Sequence, residues 1–303
     1  MTLFEKAKRF VYRNARPIDF AIWKFHFENG TAEEVLNVLS MYQNDDGGFA
    51  YAIEPDCWNT NSTPVATWMA TQKLYEIGFE DKNHPIIKGI LKYLDSGKDF
   101  ENGNWYNTVA SNNDYPHAIW WHCENDTGEP SENPTVSLAG FILKFADRES
   151  ELYNSAYKIA AKAVDEFVAT DEVEMHSIRC YLNLYNYCED IPGFNLFDLD
   201  EFKNKLIKKA DKVICKEPEK WFTEYVAKPS MFFERKNSIF KLTNTQLADK
   251  EADMIMESQL ADGSYPVTWM WYNDYNEYHI SANWWKSNMI IQNMLYLKYF
   301  SKI

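Results

Sequence analysis

The chain has 303 residues, enough to bury a sizeable core as one large domain or two ordinary ones. Its formal net charge of -14 repels phosphate backbones and anionic membrane surfaces, so nucleic acid is excluded as an expected partner. Hydrophobic residues make up 46% and aromatics 16%, yet no apolar run approaches the length of a membrane span, and the five cysteines include no Cys-x-x-Cys pair, which points to reduced thiols and a cytoplasmic setting.

At the amino terminus Glu5 stands where a secretory leader would be basic, and no sustained apolar stretch follows it. Thr2-x-x-Glu5 and Thr31-x-x-Glu34 instead fit the capping box that opens a helix, with Phe4, Ala7, Val11 and then Val35, Leu36, Leu39 at helical spacing behind them. Ser62-Thr63-Pro64 and Asn133-Pro134 set a capping residue before a proline at the first helical position. Read in order, the pattern predicts helices at 3–14, 17–28, 31–44, 62–78, 84–95, 134–147, 151–169, 173–188, 198–215, 245–260 and 280–301. Residues 221–240 admit a twelfth, and no linker divides the chain, so a single all-α domain over 1–303 is expected.

Between these helices one motif recurs. Gln43-Asn44-Asp45-Asp46-Gly47-Gly48-Phe49 and Gln259-Leu260-Ala261-Asp262-Gly263-Ser264-Tyr265 hold amide, acid, glycine and aromatic at identical offsets, and Asp99-Phe100-Glu101-Asn102-Gly103-Asn104-Trp105 is a degraded third copy. The glycine lets the chain leave a helix, the Asp bonds local backbone, and Gln and the aromatic staple one hairpin to the next. Gln-x-x-Asp-Gly-x-aromatic at a helix end resembles the repeat of the terpenoid cyclase and protein prenyltransferase superfamily. That resemblance implies an α/α toroid of about six helical hairpins in two concentric rings around a cavity. Helices 31–44, 84–95 and 245–260 would then lie outside, and 62–78, 134–147 and 280–301 inside.

In such a ring the loops after the three turns gather at one mouth. They carry Glu54, Asp56 and Trp58; Asp114, His117, Trp120, Trp121, His122 and Glu124; and Trp269, Trp271, Asp274, Glu277 and His279. The second, from about Trp105 to Asn133, is the longest, and long loops in compact domains are often functional. The superfamily's catalytic zinc needs an Asp-Gly-Cys segment, but this chain has Asp262-Gly263-Ser264, so no metal and no cofactor is expected. His117, His122 and Cys123 supply ligand types at close spacing, with hydrogen-bonded structure as the plainer reading. The cyclases' Asp-x-Asp-Asp motif has its nearest counterpart in Asp198-Leu199-Asp200-Glu201, which reads as a helix cap. Asp171, Glu172 and Glu174 precede an inner helix bearing His176 and Arg179 one turn apart.

Three functions remain open. An acid could protonate an isoprenoid-like substrate while aromatic faces stabilise carbocations. Paired carboxylates could act on a sugar, as in other α/α-barrel enzymes. The toroid could also bind a lipid or partner without chemistry. The candidate catalytic residues are Glu54 and Asp56 as acid and base, His117 as proton shuttle, and Asp114 and His176; Trp120, Trp121, Trp269, Trp271 and Arg179 are candidate binding residues for a small-molecule ligand. Cavity polarity separates isoprenoid from sugar.

Overall fold

The computed structural model describes residues 1–172, 174–232, 239–240 and 245–303. Eleven helices are found among them: α1 (Leu3–Asn14), α2 (Pro17–Phe27), α3 (Ala32–Leu39), α4 (Pro64–Glu76), α5 (Pro85–Asp95), α6 (Glu132–Phe145), α7 (Glu151–Ala169), α8 (Met175–Glu189), α9 (Leu199–Val213), α10 (Thr245–Ser258) and α11 (Tyr278–Tyr299). The fold is therefore mostly helical. By contact clustering the chain forms two compact units: a terminal unit of residues 1–38 and 210–303, and a central unit of residues 39–209.

Three of the predicted caps operate as read. Thr2 and Glu5 exchange both capping-box bonds, Thr31 and Glu34 do the same, and the Thr63 hydroxyl accepts from Ala66 N at 3.1 Å. At α6 the cap is Ser131 rather than Asn133; Ser131 Oγ accepts from Asn133 N, and Asn133 keeps a non-helical backbone before a cis bond to Pro134. Helix α3 ends five residues earlier than expected, because the chain tightens into a 3-10 turn at Ser40–Tyr42 that the Gln43 amide closes on Ser40 O. In place of a twelfth helix the described part of 221–240 holds a 3-10 turn at Pro229–Met231; residues 233–238 lie outside the described residues.

Burial divides the central unit into two layers. Helices α5 and α7 each bury one stripe, for example Ala156, Ala160, Ala163, Val164 and Phe167 on α7, as a surface helix does. Helix α9 buries Phe202 and Leu206 one turn apart in the same manner. Helices α6 and α8 are instead buried nearly all round, Thr135–Leu143 and Cys180–Cys188 without a break. Phe167 joins the layers: its ring lies 4.1 Å from Tyr181 on α8 and 5.7 Å, edge-on, from Phe202 on α9. Full burial of one such aromatic contributes about 2–3 kcal/mol.

The two strong repeat turns superpose in function. Gln43 Nε2 donates to Gly47 O and to Ile86 O in the first turn of α5; Gln259 Nε2 donates to Gly263 O and to Leu3 O in the first turn of α1. Asp46 accepts from Gly48 N and Ser62 Oγ, and Asp262 from Ser264 N and Ser264 Oγ. Gly47 (φ +93°) and Gly263 (φ +97°) sit so close to the docked helix that a Cβ would meet Gly89 O at 2.1 Å and Lys6 O at 2.3 Å. Each turn thus staples its hairpin onto a neighbouring helix, always three residues apart along that helix.

The degraded copy takes another form. Asn102 (φ 52°) and Gly103 (φ 85°) make the two-residue turn of a β-hairpin, pairing β1 (Phe100–Glu101) with β2 (Asn104–Val109). β2 pairs on its other side with β3 (Gly128–Pro130), giving an antiparallel sheet in the order β1-β2-β3. The long second segment is therefore structured, and an all-α description misses this sheet. One feature survives: Trp105 N donates to Thr135 Oγ1 on α6 at 2.7 Å, as Phe49 N does to Thr67 Oγ1 on α4 at 3.1 Å.

Candidate functional site

Behind the first repeat turn the backbone is bent into an uncommon shape. Tyr51 (φ 59°) and Ala52 (φ 54°) are consecutive non-glycine residues in the left-handed region, at a cost of about 1–2 kcal/mol each. Strain of this kind persists where the surrounding structure needs what it delivers, and here it delivers Glu54 and Asp56, 6% and 3% exposed. Asp56 N donates to Glu54 Oε1 and Cys57 N to Glu54 O, so the two acids share one tight turn.

The second segment lies across that turn. Trp58 N donates to Pro116 O, Ala118 N donates to Asp56 O, and Cys57 and His117 face each other in an antiparallel bridge. Asn112 ties the pieces: its Oδ1 accepts from Asn59 Nδ2 at 2.9 Å and from the Cys57 thiol, while its Nδ2 donates to Trp121 O at 3.0 Å. Trp121 Nε1 in turn donates to Glu54 Oε1 at 3.3 Å. A β-bulge between Tyr106 and Thr108 re-aims Asn107, as bulges beside functional sites do.

These groups enclose a hollow lined by Glu54, Cys57, Asn59, Asn107, Asn112 and Trp121, together with Ala50, Thr63, Val65 and Ala66. The hollow has room for roughly one water molecule. The lining mixes the hydrogen-bonding groups of Glu54, Asn59, Thr63, Asn107 and Asn112 with a larger apolar face that includes Ala50, Val65, Ala66 and Trp121, and Asn107 Oδ1 is buried without a partner among the described residues. Burial, reinforced by Glu54 and Asp56, pushes the Cys57 thiol up to about 12, so it stays protonated and is no nucleophile at neutral pH.

His117 lies beside this turn rather than in the lining. Its Nδ1 stands 2.6 Å from Tyr115 O, an acceptor only, and so carries the proton. In the neutral pair its Nε2 therefore accepts from His122 Nδ1, 3.2 Å away, with the two rings stacked at 5.4 Å. The pair runs from buried His117 to exposed His122. Cys123 donates to Asn125 O instead of joining the imidazoles. Among the described residues no three His, Cys, Asp or Glu side chains gather as a metal site.

The remaining candidates are dispersed. Trp120 is 39% exposed close by in sequence, on the 3-10 turn Ile119–Trp121, while Asp114 is exposed on the turn before it. Glu174 caps α8, accepting from His176 N and Ser177 N, and Asp198 caps the head of α9, accepting from Asp200 N and Glu201 N. His176 is half-buried, and burial lowers its pKa with Glu174 and Arg179 acting in opposite senses. In the terminal unit Trp271 is 1% exposed, packed edge-on to Tyr275 and Tyr278, which makes it core rather than a binding wall. Trp269 sits between Tyr225 and Trp285.

Several buried polar residues carried no motif in the sequence. Asn59, Asn107 and Asn112 belong to the hollow. In the terminal unit Arg16 and Asp19 form a buried pair with bonds of 2.7 and 3.2 Å at the head of α2. Glu251 on α10 is fully buried and accepts from Ser230 N and Ser230 Oγ; burial raises its pKa against the opposing influence of Lys228. The available signal was an acid or amide inside an otherwise apolar helix face, as at Asp19 within Pro17-Ile18-Asp19-Phe20-Ala21.

Compared with protein families, with curated proteins and with solved structures, the chain matches none. No described helix is long and apolar enough to cross a membrane.

Proposed function

We propose that the chain is an α/α toroid that binds and processes a hydroxyl-bearing small molecule of the carbohydrate class, one hydroxyl of which enters the hollow of the central unit in place of a water molecule. The observation that carries this reading is Asn107 Oδ1, buried in the lining beside the Glu54 carboxylate with no hydrogen-bond partner among the described residues. Hydrocarbon seated there would leave Asn107 Oδ1 unpaired at about 1–3 kcal/mol, whereas a sugar hydroxyl satisfies it. Glu54 is the acid/base group, Asp56 the second carboxylate of its turn, Trp121 the wall that orients Glu54, and exposed Trp120 a stacking face.

Support for the ring comes from the staples. The turn after α3 docks on α5, and the turn after α10 docks on α1, so the last repeat uses the first helix as its neighbour, as ring closure requires. The alternation of one-striped and all-buried helices fits two concentric layers. A reducing, cytoplasmic setting suits five cysteines that form no disulfide.

The test is turnover of short oligosaccharides, followed by release of new reducing ends, for the intact chain and for Glu54→Gln. The amide should lower turnover at least about a hundredfold with the melting temperature unchanged or raised. Full activity in Glu54→Gln, or turnover of an isoprenyl diphosphate instead, contradicts the reading. Saturable sugar binding without new reducing ends would identify a carbohydrate-binding toroid.

A further inference from the structure

In the terminal unit the segment after the last repeat turn builds one connected aromatic surface. Trp271 is its buried anchor, edge-on to Tyr275 and to Tyr278. The Tyr278 hydroxyl donates to Trp269 O at 2.8 Å, and the Trp269 ring meets Tyr225 edge-on at 5.7 Å. Tyr225, Met270, Tyr272, Tyr275 and Ile280 are all exposed, and tyrosine, tryptophan and methionine are the side chains enriched where proteins dock. Tyr272 is 67% exposed, yet its backbone stands at φ 57°, where a residue with a Cβ is strained. A ring that packs so little does not offset that strain by burial, and such outliers gather at functional surfaces.

Carboxylates rim these rings. Tyr272-Asn273-Asp274 and Tyr275-Asn276-Glu277 each set an amide and an acid behind a tyrosine. Asp274 is exposed, and Glu277 stands at the N-cap of α11 without a side-chain capping bond; neither carboxylate meets a cation among the described residues. From Glu251 to Trp285 the sequence has no Lys or Arg. On either side of the surface, Lys228 lies over the Phe222 ring at 4.6 Å and Lys286 acts on Asp262 in the repeat turn. We propose that this surface docks a partner protein through a basic segment, arginine-bearing by preference. A guanidinium stacks on exposed tyrosine faces and pairs with a neighbouring carboxylate at once. An apolar partner would desolvate Asp274 and Glu277 with nothing in return. A second copy would bring its own net charge of -14 against the same acids.

Fluorescence anisotropy of short labelled peptides of alternating Arg-Ser, Lys-Ser and Glu-Ser, at near-physiological salt, reads binding to the intact chain and its variants, and calorimetry reads the melting temperature. The Arg peptide should bind saturably, the Lys peptide more weakly and the Glu peptide not at all. Tyr272→Ala should weaken the Arg peptide about threefold with the melting temperature unchanged, and Tyr225→Ala should weaken it similarly. Asp274→Asn with Glu277→Gln should weaken it about tenfold. Glu149→Gln with Asp165→Asn removes the same charge from exposed positions of the central unit and should leave binding within about twofold. Equal binding by the parent and Tyr272→Ala, an equal loss in that control pair, or no binding of the Arg peptide overturns the proposal. Two further results overturn it in favour of another occupant: saturable cellotriose binding lost in Tyr272→Ala without any Arg-peptide binding, or self-association of the parent chain, by sedimentation, lost in Tyr272→Ala.

Discussion

Ala52 and Tyr51 hold the backbone in a left-handed path so that Glu54 and Asp56 can turn inward, and the strain is measurable. Ala52→Gly removes the Cβ conflict at φ 54° and should raise stability by about 1 kcal/mol in urea unfolding, leaving turnover unchanged. The protonated Cys57 thiol should resist iodoacetamide at pH 7 in the folded chain and react on unfolding, by mass spectrometry. Glu54, Asp56 and Trp121 were legible as an acid pair and an indole in loops after repeat turns. Asn59, Asn107 and Asn112 were not, because an amide in a loop has no spacing signature. Their roles arise from a β-bulge and from pairing across fifty residues of sequence, which only the fold creates.

At the scale of elements the staples set the cost of change. Gly263→Ala must escape both a φ of +97° and Lys6 O at 2.3 Å, so a loss of roughly 3 kcal/mol is expected by denaturant titration. Gly193 (φ +70°) faces open space, and Gly193→Ala should cost only about 1 kcal/mol. Helix α10 supplies a pH test. Burial raises the folded pKa of Glu251 above its ordinary 4.5, so its contribution is fully present below that value and is lost as pH rises through the raised one. Glu251→Gln keeps an acceptor for Ser230 and should therefore melt higher than the parent at pH 8, with the advantage shrinking as pH falls towards 4.5. An advantage independent of pH would contradict the assignment. Eleven helices could be read from caps and apolar period because those signals are local. The degraded copy could not, since Asn102-Gly103 is also the strongest two-residue hairpin signal, and strand pairing prevailed over the repeat.

In the whole molecule, stapled helical hairpins and a small site of mixed polar and apolar groups are separable, because fold does not dictate chemistry. The resemblance to terpenoid cyclases and prenyltransferases drew on the turn, which serves packing; the hollow draws on residues the turn motif does not contain. The central claim is the polarity of the ligand. Competition by saturation-transfer NMR, with the intact chain offered short oligosaccharides and a short-chain isoprenoid alcohol together, tests it most directly. Transfer to sugar ring protons, lost in Glu54→Gln, with none to the isoprenoid, is the expected result. Transfer to the isoprenoid alone, undiminished in Glu54→Gln, would contradict it.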